Sequence, residues 1–183
     1  MSVSKPCSTP FASSSSSDDQ SPALRMLSYT EAQLVTLQYA TITRPDIVFA
    51  VNSACQHMQA PSEENWAVVK RILRYLQGIV SFGLHFKRSF SLQLQAFSDA
   101  DWAGDLTDRI STSGMAIFIG LSLISWMKHI EIAFHFVREL VAAKCLEVRF
   151  LSTTEKIDDI LTKGLSITRF HHLRLKLSIS EPP

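Results

Sequence analysis

Two periodicities divide the chain. Between residues 28 and 88, apolar residues recur three and four apart, the spacing of one helix face. In "TRPDIVFAVNSACQHM", Ile47, Val51, Ala54 and Met58 share such a face, with Thr43 expected as the N-cap and Pro45 and Asp46 in the first turn. "APSEENWAVVKRILRYLQG" is a second amphipathic helix. Ser62 is its expected cap, Glu63 and Glu64 suit the positive end of the dipole, and Gly78 stops it. Trp66, Val69, Leu73 and Leu76 form its apolar stripe. From residue 89 to 126 the period drops to two. Leu92, Leu94 and Ala96 alternate with Gln93 and Gln95, and "SGMAIFIG" and "LSLISW" follow. The short connection at Gly120 and Leu121 predicts a hairpin, so three strands are expected in meander order.

Beyond residue 127 both periods return. "KHIEIAFHFVRELVAAK" (128–144) reads as a helix with Ile130, Phe134, Val137 and Val141 on one face. "LEVRFLS" (146–152) alternates as a short strand. "TTEKIDDILTKG" is a helix with Thr153 or Thr154 as cap and Gly164 as stop. "SITRFHHLRLKLSI" is a last helix that turns Phe170, Leu173 and Leu177 inward. Residues 1–27 are Ser-rich and poor in large apolar groups, so they read as a disordered tail or linker. The expected organisation is therefore tail (1–27), helical segment (28–88) and a strand-and-helix segment (89–183), an α+β or α/β chain.

Composition narrows the chemistry. A formal net charge of +1 supplies no global attraction for nucleic acid, so any such affinity needs a local patch. Lys70, Arg71 and Arg74 lie off the apolar stripe of their helix; they are either a solvated face or a phosphate-contacting one. Three cysteines far apart, without CxxC spacing, argue against a disulfide framework or zinc ribbon and for a reducing compartment, cytoplasm or nucleus. No apolar run is long enough to span a bilayer, and the N-terminus lacks a signal-peptide pattern. His171 and His172 diverge on a helix, and no HExxH or phosphate-cradling glycine loop occurs. Asp99 and Asp101 close a strand, and Asp158 and Asp159 open a helix. Each pair is what a turn or a helix dipole calls for, and also what a metal-dependent nuclease needs.

Longer stretches carry a resemblance. "LQYATITRPDIVFAVNSACQHMQAPSEENWAVVKRILRYLQGIVSFGLHF" resembles the segment after the palm in the polymerase of copia-type LTR retrotransposon polyproteins, a thumb-like helical piece. "FSDADWAGDLTDRISTSGMAIFIGLSLISW" resembles the opening of their ribonuclease H domain. "KHIEIAFHFVREL" and "VRFLSTTEKIDDILTKGLSITRFHHLRLKL" resemble its closing part. The resemblance implies that Asp99 matches the first catalytic, magnesium-binding carboxylate and Asp159 the last. It also implies a nucleic-acid partner, an RNA–DNA hybrid or duplex, against which Lys70, Arg71, Arg74, Lys87 and Arg88 would lie, and no membrane.

The chain departs from that pattern in its middle. The two intervening acids of the family stand in motifs like S-T-E-A-E-Y and C-D-N, and neither occurs here. "LISW" runs straight into "MKHIEI", as if several dozen residues were deleted near Met127; Glu131 belongs to the later helix and replaces no catalytic acid. The palm's catalytic acids are expected upstream, and their motif is absent from the chain. The expectation is a catalytically inactive fragment with vestigial acids and magnesium not retained, residual nucleic-acid binding as the alternative, and nuclease activity only if the domain is complemented. The truncated, ribonuclease H-like sheet is expected to gain one added parallel strand, with residues 146–152 sliding beside residues 91–98 through a right-handed crossover.

Overall fold

Helices and strands follow the predicted periods up to residue 128, with departures beyond it. A computed structural model describes residues 6–11, 23–56, 63–90, 92–101, 112–128, 139, 141–143, 147, 149–152 and 155–182, with backbone alone at 23–31, 63–64, 99–101, 112–113 and 128. The elements are α1 (Ala23–Ala40), a 3-10 turn (Pro45–Ile47), α2 (Val48–Gln56), α3 (Glu63–Gly78), β1 (Gly83–Leu84), β2 (Leu94–Asp101), β3 (Thr112–Ile119), β4 (Ser122–Lys128), α4 (Asp159–Thr162), α5 (Ile167–Lys176) and β5 (Ile179–Ser180). This is an α+β chain with small antiparallel sheets. It forms two compact units, residues 1–86 with 163–183, and residues 87–162. Residues 163–183, read from sequence as continuous with the second segment, fall in the first unit.

The first unit buries one face of each helix. Leu34 and Leu37 of α1, Val48, Ala50, Val51 and Ala54 of α2, Val69, Ile72 and Tyr75 of α3, and Phe170 and Leu173 of α5 make its core. Ile47, Val51 and Ala54 turn inward as their spacing predicts, as do Phe170, Leu173 and Leu177; Met58 and Ser62 lie outside the described residues. Two local expectations are corrected. Thr43 is not the cap: its hydroxyl donates back to the Ala40 carbonyl (3.3 Å), and Arg44 takes the cap position without a side-chain bond. Arg44 precedes proline, which disfavours helical backbone there, so the helix cannot start one residue earlier. On α3 the buried line is Val69, Ile72 and Tyr75 rather than Trp66, Val69, Leu73 and Leu76, and Leu73 is exposed. The buried arc is turned because Tyr75 can enter the core once its hydroxyl finds an acceptor.

Nor are residues 1–27 a free tail throughout. Helix α1 starts at Ala23, and residues 6–11 pack along α3 and α5. Arg71 Nη2 donates to the Thr9 hydroxyl (3.0 Å), the Cys7 thiol to the Arg71 carbonyl (3.2 Å), and His171 Nε2 to the Ser8 carbonyl (3.0 Å). Phe11 meets Phe49 edge to face at 4.9 Å. The apolar residues Pro6, Pro10 and Phe11, spaced through the serines, were the sequence signal for this packing. At the other end α5 stops on Ser178, whose φ of 61° lies in the left-handed region. That reversal returns the chain so that β5 pairs antiparallel with β1, Leu84 opposite Ile179.

The second unit is the expected meander, in the order β2-β3-β4, all antiparallel. Ile119 pairs with Ser122 across a two-residue turn in which Gly120 has φ 57°, a value glycine reaches without strain. A bulge lies between Ile117 and Phe118. Gly114, Ala116 and Phe118 of β3 form the buried face, and α4 covers it with Ile160 and Leu161. The added parallel strand is not formed. Residues 147 and 149–152 carry no strand, and β2 has β3 as its one neighbour among the described strands. The described residues show why: Glu147 and Arg149 clasp each other in solvent at 2.9 Å, and Phe150 is 92% exposed. Of the 128–144 helix, residues 139 and 141–142 are helical, Lys128 ends β4 and Ala143 is in a turn; the others lie outside the described residues, as do Thr153 and Thr154. The helix expected over 155–163 shortens to Asp159–Thr162.

Candidate functional site

The acidic candidates lie on two elements that approach each other at a glycine. Asp99 pairs in register with Gly114, and directly opposed residues of an antiparallel pair share a face. A Cβ on Gly114 would stand 2.6 Å from Thr162 Cγ2 and 3.3 Å from Leu161 Cβ, so α4 lies directly on that face. Only a residue without a side chain permits so close a helix. Position 99 and the buried residues Asp158 and Asp159 are thereby brought to one face of the sheet. The side chain of Asp99 lies outside the described residues. Among the described residues, no three His, Cys, Asp or Glu side chains gather as metal ligands. A magnesium pair needs several carboxylates and near-octahedral oxygen geometry at each ion.

The basic candidates separate. Lys70 points outward, with Nζ 5.9 Å from the centre of the Trp66 ring. Arg71 and Arg74 are half-buried, and the Nε of each is buried without a hydrogen-bond partner. Lys87 and Arg88 are exposed and belong to the second unit, whereas the three α3 residues belong to the first.

Sequence reasoning missed a buried polar centre in the first unit. Arg44 grips Asp46 with both ends of its fork, Nε to Oδ1 at 2.9 Å and Nη2 to Oδ2 at 2.7 Å. Tyr75 donates to the same Asp46 oxygen at 2.6 Å. Arg174 reaches the Tyr75 hydroxyl at 3.4 Å and lies 4.8 Å over the Phe82 ring. Burial works against the charged Arg44, yet the bonds and charge of Asp46 outweigh it and raise its pKa. Burial, then the negative Asp46, pushes the Tyr75 phenol far above its ordinary range, so it stays a donor. The chemistry of this centre is structural: it fixes the "TRPDI" turn against α3 and α5. Its one sequence signal was Arg44 and Asp46 two apart around a proline in an apolar run.

Comparison with known proteins supplies what geometry alone does not. No family model matches the chain, and no solved structure does. The Retrovirus-related Pol polyprotein from transposon RE1 of Arabidopsis thaliana is 31% identical, over all of this chain and 17% of its own length. The corresponding polyprotein from transposon TNT 1-94 of Nicotiana tabacum is 35% identical over 121 residues, 66% of this chain and 8% of its own. The uncharacterized mitochondrial protein AtMg00810 of Arabidopsis thaliana is 47% identical over 90 residues, 49% of this chain and 38% of its own. The chain thus spans about a sixth of the RE1 polyprotein. That alignment extends over 257 positions against 183 residues here, a difference of 74. The motifs "TRPDI", "SDADWAG" and "DILTK" therefore sit in a chain that aligns along its whole length, and it belongs to the Pol polyproteins of copia-type retrotransposons, corresponding to one part of such a polyprotein.

Proposed function

We propose that the chain is a catalytically inactive part of the polymerase–ribonuclease H region of a copia-type polyprotein. One observation carries this reading: the full-length match needs 74 more positions than the chain has. Placed at the "LISW"–"MKHIEI" junction, that gap removes the two middle acids of the ribonuclease H set and leaves Asp99 and Asp159 alone. Two carboxylates hold one hydrated magnesium weakly and fix no pair, so neither the attacking water nor the leaving oxygen is clamped. Losing several kcal/mol of such stabilisation lowers the rate about tenfold per 1.36 kcal/mol. The test is an RNA–DNA hybrid incubated with magnesium and either wild type or Asp99→Asn. Neither is expected to cleave. Cleavage by wild type that disappears in Asp99→Asn refutes the reading.

A second reading is favoured by the half-buried arginines of α3. The first unit retains non-sequence-specific affinity for nucleic acid through Lys70, Arg71 and Arg74, and the second carries the exposed Lys87 and Arg88. A few phosphate contacts give a log–log salt slope of about −0.9 per phosphate neutralised on duplex DNA. Binding of unrelated duplexes with equal affinity and such a slope supports the reading. No binding at low salt removes it.

A further inference from the structure

We propose that the first unit carries a peptide-recognition groove along α3 and α5, which reads a Pro-x-Ser-Thr-Pro-Phe segment. Residues 6–11 of the same chain fill it as a tethered ligand, and the same segment of a second copy is the partner it fits. The segment is neither helix nor strand, and each of its bonds to the two helices uses a side chain. Its two ends are apolar anchors. Pro6 lies over Gly78, where a Cβ would stand 2.8 Å from Pro6 Cβ. Phe11 lies over Gly164, where a Cβ would stand 3.0 Å from ring Cε1, and its ring also meets Phe49. Neither glycine has left-handed backbone, so what its missing side chain supplies is room for the segment. Between the anchors, Thr9 is 3% exposed. Its hydroxyl accepts from Arg71 Nη2 and donates to the Phe11 carbonyl, both at 3.0 Å. An apolar residue there leaves the Arg71 bond unmade, which gives the groove a preference for a hydroxyl. His171 fixes the Ser8 carbonyl from α5.

The segment covers the core and is not built into it. Thr9 and Pro10 are buried, Cys7 and Phe11 half-buried, and Pro6 and Ser8 exposed. Among the described residues, the unit's largest fully buried side chains, such as Leu34, Ile72, Tyr75 and Leu173, come from other elements. A cover of this kind opens locally while the core stays packed. Proline loses little freedom on binding, so two prolines in six residues suit a short ligand. The eleven residues 12–22 join the segment to α1 and contain no large apolar side chain. A ligand on a tether of that length competes at an effective concentration on the order of mM. Eleven residues also span at most about 36–40 Å, a reach that takes in a neighbouring copy.

The experiment uses the full chain and reads Cys7, whose thiol the seated segment sets on the Arg71 carbonyl at 3.2 Å. Alkylation at Cys7 is followed by mass spectrometry and compared with a synthetic peptide of residues 5–12. Cys7 of wild type is expected to react about tenfold slower than the peptide or slower still, as for a segment open about a tenth of the time. Phe11→Ala removes an anchor and Gly164→Ala crowds its seat. Both bring Cys7 towards the peptide rate and keep a cooperative melt. The peptide carrying Cys7→Ser, added in trans, frees Cys7 of wild type at a concentration on the order of mM and binds Phe11→Ala at a lower one. The same residues in scrambled order do neither. Phe11→Ala offers an open groove and Gly164→Ala a released, intact segment, so in sedimentation their mixture forms a one-to-one dimer that neither forms alone. The groove is overturned by a wild-type Cys7 as reactive as the peptide, by a Cys7 still protected in both variants or freed only as the melt is lost, or by a scrambled peptide equal to the ordered one. Peptide binding without the mixed dimer overturns the second copy as partner and leaves the groove to its own chain.

Discussion

Tyr75 shows how one side chain can set a stability profile. Its ring is fully buried, and its hydroxyl gives a 2.6 Å bond to Asp46. Burial first, and the Asp46 charge second, raise its folded-state pKa well above the ordinary 10.0. The neutral phenol is the form the fold accepts. Its contribution is therefore complete below the unfolded value and is lost as pH climbs towards the raised one. Wild type should lose about 1.4 kcal/mol of stability per pH unit above about pH 10 from this group. Tyr75→Phe should be less stable at pH 7 by about 1.5–3 kcal/mol, the worth of a bond to a charged acceptor, and flatter above pH 10. Denaturant titrations of both proteins at several alkaline pH values measure it, and parallel alkaline slopes would assign the titration elsewhere. None of this was legible in the sequence. Asp46 reads there as an ordinary first-turn acid, because Tyr75 lies 29 residues away and only the fold brings it near.

Among elements, legibility follows whether a pattern is settled locally. The β3–β4 hairpin needs only Gly120 and alternation on either side, and it forms as read. The segment 146–152 alternates equally well, yet alternation states only that one face wants burial, not that a face is available. Its Glu147–Arg149 pair is satisfied in water, and Phe150 stays exposed. The short α4 was legible as a helix start at Asp158 and Asp159, but its depth was not, since that depends on the missing side chain of Gly114. Gly114→Ala tests the contact. A Cβ there overlaps Thr162 Cγ2 and crowds Leu161, so α4 must shift from the sheet. The expected loss is about 1–3 kcal/mol, read as a lower denaturant midpoint. A double variant with Thr162→Ser, which removes the overlapping methyl, should recover part of it. An unchanged midpoint in the single variant would show that the helix moves freely over β3.

For the molecule as a whole, the order of the chain and the order of the fold differ. The resemblance to a polyprotein segment makes the chain look like a helical piece followed by a strand-and-helix piece, and the motifs that carry it are local in sequence. The compact units cut across that division, because residues 163–183 complete the core begun by residues 6–86. Phe170, Leu173, Leu177 and Ile179 are all buried there, with Phe170 edge-on to Tyr75 at 5.6 Å. Each buried side chain of this size contributes about 1.5–3 kcal/mol, so the four together supply roughly 6–12 kcal/mol. That is the scale of a whole domain's net stability, about 5–15 kcal/mol. A chain ending at Thr162 also strips Tyr75 of Arg174 and leaves β1 without β5. It should therefore lose the cooperative melt of the helical unit, with far-UV circular dichroism at 222 nm falling by more than the share of the deleted helix. A truncated chain that keeps a sharp transition and loses only the signal of α5 would show that the first 86 residues hold their fold alone. The opposite result makes the last helix, which the sequence joins to the strand-and-helix segment, a structural part of the helical unit.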